Sequence, residues 1–185
     1  MRLRDAVKMF EGSELASLGP TVWADLGCGD GTFTLALAEV LAPGSIIHAM
    51  DRDASALAHI VPRHGDVRIE THPGDFTKPW PFHEVDGVLM ANSLHYVKDQ
   101  KAFITWCSSQ MPQGHRFLIV EYDTDRANAW VPYPVGQSAL TALFAAAGYA
   151  SMTPLGSRPS AYQRARLYAV MVTTTARGVV GRACD

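Results

Sequence analysis

Short apolar runs of strand length alternate along this chain with segments whose apolar residues recur at helical spacing. Residues 22–26 form the first such run, and residues 32–41 follow with good helix formers and a repeating apolar face. Residues 45–51 and 54–61 repeat the pair, residues 67–71 run into a proline-rich loop, and residues 85–91 precede a helical stretch over 99–110. Residues 116–122 make the most apolar strand. Alternation of this kind predicts a parallel sheet with helices on both faces, because each crossover helix returns the chain to the same edge.

The two ends depart from that rhythm. Leu3, Val7, Phe10, Leu15 and Leu18 suit a helical entry segment over residues 1–21, interrupted near Gly12 and closed by Gly19-Pro20. Residues 135–147 predict a helix stopped by Gly148, followed by strands over 149–155 and 167–174. The connection between those strands is too short for a crossover helix, so at least one of them should run against the parallel set. Residues 175–185 lack periodicity and are expected to fray.

Size and composition narrow the class. A chain of 185 residues, 48% hydrophobic and 18% charged, fits a single globular domain over residues 1–185 and lacks the low hydropathy of a disordered chain. A net charge of −2 supplies no drive toward a nucleic acid or an anionic membrane, and no run is long enough to span a bilayer. The N-terminus has Arg2 and Arg4 but no continuous apolar stretch after them, which points to a cytoplasmic address. Three cysteines, Cys28, Cys107 and Cys184, are too few and scattered for a disulfide framework; Cys28 and Cys107 read as small buried thiols.

Candidate chemistry gathers where the predicted strands end. Gly27, Gly29 and Gly31 join the first strand to its helix, where backbone N–H groups and a helix N-terminus meet the carboxyl edge of an open sheet. A dinucleotide fingerprint would place its third glycine at Thr32, so the loop departs from that pattern. Asp25 precedes the loop and can either orient it or face a cationic ligand. Asp51 ends the second strand about twenty residues beyond the loop, the place from which a carboxylate reaches ribose hydroxyls. Asp53 suits the cap of the next helix. Gly74-Asp75-Phe76 follows the third strand and Asn92-Ser93-Leu94-His95-Tyr96 the fourth.

This ordered set resembles the class I S-adenosylmethionine-dependent methyltransferases, over about residues 22–174. The resemblance implies a Rossmann-like α/β fold with a seven-stranded, mostly parallel sheet of order 3-2-1-4-5-7-6 and strand 7 antiparallel. It implies S-adenosyl-L-methionine as cofactor, leaving S-adenosyl-L-homocysteine as product. Asp25, Gly27, Cys28 and Gly29 would underlie its methionine part, Asp51 with neighbouring Arg52 would hold the ribose, Asp75 and Phe76 would meet adenine, and Asn92, Ser93 and Leu94 would line the other side. A sulfonium ligand with an ammonium group suits these acids, whereas a pyrophosphate at the helix N-terminus would meet Asp30.

Methyl transfer is an in-line displacement in which the protein chiefly aligns the partners and excludes water. If the acceptor must lose a proton, His95 is the candidate base, with Glu121 and Tyr122 projecting from the same edge. The aromatic, proline-rich segment 125–134 reads either as an acceptor-site wall or as a hydrophobic plug. Arg158, Tyr162, Arg164 and Arg166 are placed in the terminal hairpin loop, solvated or facing an anionic acceptor. His59, His64, His72, His83 and His115 show no metal-ligand spacing, so no metal is expected. The run after the fourth strand lacks the Asp/Asn-Pro-Pro-aromatic pattern that the resemblance links to base methylation, which favours a small-molecule acceptor. The short segment before the glycine loop suggests an open site or one completed by a second subunit, hence a monomer or homodimer. The rival readings are a cofactor-binding protein without turnover and a nicotinamide-dependent oxidoreductase.

Overall fold

The structure is a computed structural model, and it describes residues 1–159 and 165–174. Among the described residues, eight strands form one sheet: β1 (Val22–Leu26), β2 (Ile46–Asp51), β3 (Arg63–His64), β4 (Val67–Pro73), β5 (Gly87–Ala91), β6 (Arg116–Tyr122), β7 (Ser151–Pro159) and β8 (Arg166–Thr173). Their spatial order is β3-β4-β2-β1-β5-β6-β8-β7. Setting aside the two-residue β3, this is the expected 3-2-1-4-5-7-6 order, and β8 lies antiparallel to both β6 and β7. The strand count is therefore eight where seven were expected. The extra strand arises because β3 folds back through Gly65 to pair antiparallel with β4.

Five α-helices of the described residues accompany the sheet: α1 (Leu3–Phe10), α2 (Thr32–Val40), α3 (Ala54–Leu57), α4 (Gln100–Ser109) and α5 (Gln137–Ala146). One core, with Phe10, Leu37, Ile47 and Leu89, lies beneath α1, α2 and α3; the other, with Met50, Trp80, Phe117 and Phe144, lies beneath α4, α5 and the 74–86 loop. Phe10, Phe117 and Phe144 have no exposed surface, and each such burial contributes about 1.5–3 kcal/mol of transfer free energy.

The boundaries differ from the pattern-based expectation for local reasons. The helix expected over 54–61 is one turn, α3. Asp53 caps it by accepting from the Ser55 and Ala56 N–H groups, but Pro62 biases Val61 away from helical backbone and the chain turns into β3. The entry segment divides into α1 and a 3₁₀ turn over Leu15–Leu18, separated where Gly12 takes positive φ. The fourth expected strand starts at Gly87 instead of 85. β7 runs to Pro159, past a bulge at Pro154/Gly156, so Arg158 and Arg166 sit in strands and not in the hairpin loop. Tyr162, Arg164, Cys184 and residues 175–185 lie outside the described residues. Among the described residues, no helix is long and apolar enough to cross a membrane.

Candidate active site

The glycine loop is fastened from two directions. Gly27 and Cys28 both donate to the Met50 carbonyl, at 2.8 and 3.2 Å, and the Gly29 N–H donates to Asp51 Oδ2 at 2.8 Å. Gly27 has φ +78°, and a Cβ there would lie 2.6 Å from Ser93 Cβ and 3.2 Å from Phe76 Cε1. The backbone is thus pressed between the chain segments that follow β4 and β5, and only glycine meets both the dihedral and the space. Gly27→Ala is expected to cost about 2–3 kcal/mol, read as a lowered urea midpoint with unchanged slope; a midpoint equal to wild type would mean the loop is slack. Ser93, itself buried, donates from Oγ to the Leu26 carbonyl at 2.5 Å and locks this junction from the other side.

Two cavities open on either side of Gly27. One, of about 400 Å³, is bordered by Asp51, Arg52, Phe76, Ser93 and Tyr96. The other, of about 290 Å³, is bordered by Cys28, Gly29, Asp30, Tyr122 and Arg158. Gly27 and Asn92 line both, so the two form one cleft across the carboxyl ends of β1, β2, β4 and β5. Its size is that of a small-molecule site.

Asn92 marks the middle of that cleft. Its φ is +56°, unusual for a residue with a side chain, and its N–H donates to the Val120 carbonyl at 2.8 Å. Its Oδ1 is buried with no hydrogen-bond partner among the described residues. A buried amide oxygen without a donor is costly, and strain of this sort concentrates at ligand sites. Asp51 is also suited to a ligand. Its Oδ2 holds Gly29 and its Oδ1 accepts from Asp53 N–H at 2.9 Å, yet a carboxylate has about four acceptor positions, leaving about two for hydroxyls.

Asp25 lies beneath the loop and lines neither cavity. It is fully buried; Oδ2 accepts from Thr34 Oγ1 at 2.6 Å, and Oδ1 has no partner among the described residues. Burial pushes its pKa up to about 7, with the Asp51 charge adding to the rise and the Thr34 bond opposing it. Asp75 is exposed, and its Oδ1 accepts from both the N–H and the hydroxyl of Thr77, which hold it below the usual carboxylate range. Phe76, not Asp75, borders the cleft. Leu94 has no exposed surface and packs in the core. Cys28 is partly buried and borders the cleft, its thiol pushed up by burial and by the Asp25 and Asp51 charges. Cys107 is buried, as expected.

His95 and Glu121 form a buried pair, 2% and 0% exposed. Glu121 Oε2 is 2.7 Å from His95 Nδ1, and Oε1 accepts from the His95 backbone N–H at 3.1 Å. A carboxylate only accepts, so in the neutral imidazole the proton sits on Nδ1 and Nε2 keeps its lone pair. The ring packs 4.5 Å from Tyr96 and 6.3 Å from Tyr122 between centroids, and those two tyrosines border different halves of the cleft. The 125–134 segment splits between its two readings. Val131 is buried as a plug, while Trp130 is 78% exposed. Tyr133 is tied down, its N–H donating to the His95 carbonyl at 3.0 Å and its carbonyl accepting from Gln100 at 2.9 Å.

Two groupings escaped the sequence reading. Arg158, expected only to be solvated or to face an anionic acceptor, borders the cleft from β7 and pairs with Asp5 at 3.3 Å, and it is this pairing between residues far apart in the chain that was not foreseen. His48, Glu70 and His72 meet on the sheet, outside the cleft lining. Both depend on strand pairing and leave no local motif.

Residues 24–114 match the family model described as a methyltransferase domain. The fold is that of the class I S-adenosylmethionine-dependent methyltransferases. Among solved structures, the 1,6-didemethyltoxoflavin-N1-methyltransferase of Burkholderia thailandensis, with bound 1,6-didemethyltoxoflavin and S-adenosylhomocysteine, is 20% identical with a TM-score of 0.68; the match covers 94% of this chain and 78% of that one. The magnesium protoporphyrin IX methyltransferase of Synechocystis PCC 6803, with bound S-adenosylmethionine, is 14% identical over 94% of this chain and 78% of that one, with a TM-score of 0.63. The mitomycin 7-O-methyltransferase is 19% identical over 91% and 53%, with a TM-score of 0.59. No curated protein matches the chain.

Proposed function

We propose that this protein is a methyltransferase that binds S-adenosylmethionine in the cleft across Gly27 and Asn92 and methylates a small-molecule acceptor. The observation that carries this reading is the cleft itself: a glycine backbone with no room for a Cβ, a buried Asn92 Oδ1 that has no partner among the described residues, and Asp51 at one end with Tyr122 at the other. S-adenosylmethionine, when bound, supplies a methyl group on a positively charged sulfur. Asp51 and Arg52 would hold the ribose, Phe76 would pack against adenine, and Gly27, Cys28, Gly29 and Asn92 would receive the methionine part. Asp25 acts from beneath by tying the end of β1 to α2 through Thr34, and Asp75 shapes the turn that presents Phe76. Similar structures whose names specify a porphyrin, toxoflavin or mitomycin acceptor support the small-molecule class.

For an acceptor that must lose a proton, His95 is the proposed proton acceptor through Nε2, with Glu121 fixing the tautomer and Tyr122 bordering the acceptor side. Because His95 is nearly buried, a proton would reach it only from an acceptor seated between Tyr96 and Tyr122. Arg158 suits an acceptor with a negative group. The exposed Trp130 suits a wall that closes over that acceptor.

Calorimetry with S-adenosylhomocysteine tests the cofactor assignment. Wild type is expected to bind one equivalent, and Asp51→Ala to bind about 10- to 100-fold more weakly, the loss of hydrogen bonds to a charged acceptor. Absence of binding to wild type, or equal binding by the variant, would refute it. Release of S-adenosylhomocysteine with a panel of metabolites then separates the enzyme from a non-catalytic binder.

A further inference from the structure

β2 and β4 are parallel neighbours, with His48 opposite Glu70 and Met50 opposite His72. Side chains alternate along a strand, so His48, Glu70 and His72 share one face. His48 Nδ1 lies 3.0 Å from His72 Nε2 and 3.3 Å from Glu70 Oε2, and one donor atom from each residue lies within 4.8 Å of the others. All three side chains are partly buried. Nothing in the proposed methyl transfer uses them.

The surroundings hold these groups in place. Phe82, from the loop that replaces a crossover helix after β4, stacks flat on His48 with centroids 4.6 Å apart and planes 3° apart, and it tilts against His72 at 5.0 Å. Arg68 Nη2 holds Glu70 Oε1 at 3.2 Å, leaving Oε2 turned toward the imidazoles. A carboxylate steadied by a neighbour while its other oxygen stays available is the usual arrangement around a metal ligand. Burial holds both imidazoles below their ordinary pKa, and for His48 the His72 ring adds to the lowering.

We propose that His48, Glu70 and His72 form a binding site for a divalent transition-metal cation, of which zinc(II) is the type, clamping β2 to β4 beneath Phe82. Two imidazoles and one carboxylate make a donor set suited to zinc, cobalt or nickel, whereas magnesium and calcium take oxygen ligands. Tetrahedral zinc with ordinary Zn–N lengths places two nitrogens roughly 3.3 Å apart, so the observed separation needs an adjustment of about 0.3 Å. Three protein ligands leave a fourth position for water. The cation would occupy the space between the two facing ring nitrogens, displacing a proton shared between them.

The test is a zinc titration of the untagged full chain against a chromophoric competing chelator, with cobalt(II) spectra as a second readout. Wild type is expected to bind one zinc per chain and to give the intense visible bands of four-coordinate cobalt. His72→Gln and His48→Gln should each weaken binding at least 100-fold and lose those bands, while His64→Gln, whose imidazole pairs with Glu39, should match wild type. Zinc should raise the melting temperature of wild type and leave that of His72→Gln unmoved, provided circular dichroism shows the variant folded. No stoichiometric binding by wild type, or binding unchanged in both variants, would overturn the proposal.

Discussion

Glu121→Ala is expected to destabilise the protein by about 2–5 kcal/mol, the cost of leaving two buried donors, the His95 backbone N–H and Nδ1–H, without an acceptor. Both oxygens of Glu121 serve His95, one at the backbone N–H and one at Nδ1, and neither residue has water to turn to. Urea unfolding measures this directly, and a loss below about 1 kcal/mol would show that the pair contributes little. Glu121→Gln separates folding from chemistry. An amide oxygen can still accept from the backbone, but an amide NH₂ facing Nδ1 forces the imidazole proton onto Nε2. The variant should stay folded, yet lose about 10²- to 10⁴-fold in turnover if His95 takes a proton from the acceptor. Turnover and a pH profile equal to wild type would reduce His95 to a packing role.

Asp25 carries the second large effect, and it is a pH dependence. Its carboxyl titrates near 3.8 in the unfolded chain and near 7 in the folded one. Between those values the folded state binds more protons, so stability falls as pH rises from about 4 to about 7, and the loss levels off above that. Full burial of the charge sets a ceiling of about 4 kcal/mol on this term. Asp25→Asn cannot ionise but keeps an oxygen to accept from Thr34. Unfolding midpoints from pH 4 to 8 should therefore fall less steeply for the variant, with the two curves diverging most above neutrality. Parallel curves would mean that Asp25 is not the titrating group. Cofactor affinity offers an independent reading, since Asp25 is bonded to Thr34 of α2 and lines neither cavity.

The architecture was legible because it is written in local patterns. Apolar runs at β1, β2, β5 and β6, the helical spacing of α2 and α4, and the short connection before β8 each follow from neighbouring residues. Asp53 was legible as a cap for the same reason. What failed was also local in cause: Pro62 cut α3 to a turn, and a fold-back at Gly65 added β3, a strand too short to leave a periodic trace. Of the candidate site, Gly27, Cys28, Gly29, Asp51, Arg52, Phe76, Asn92, Ser93 and Tyr122 border the cleft. Asp25, Leu94, His95 and Glu121 are buried around it, and Asp75 stands outside in its own turn.

Sequence by itself determined the strand-and-helix alternation, the glycine loop, and the acids placed at strand ends, since hydrophobic period and turn chemistry act over a few residues. Tertiary structure decided the rest. The depth of Asp25, the pairing of His95 with a glutamate 26 positions away and the meeting of His48 with Glu70 and His72 all depend on strand register. Register is set by which faces bury together across the whole sheet, and no short stretch of chain encodes it.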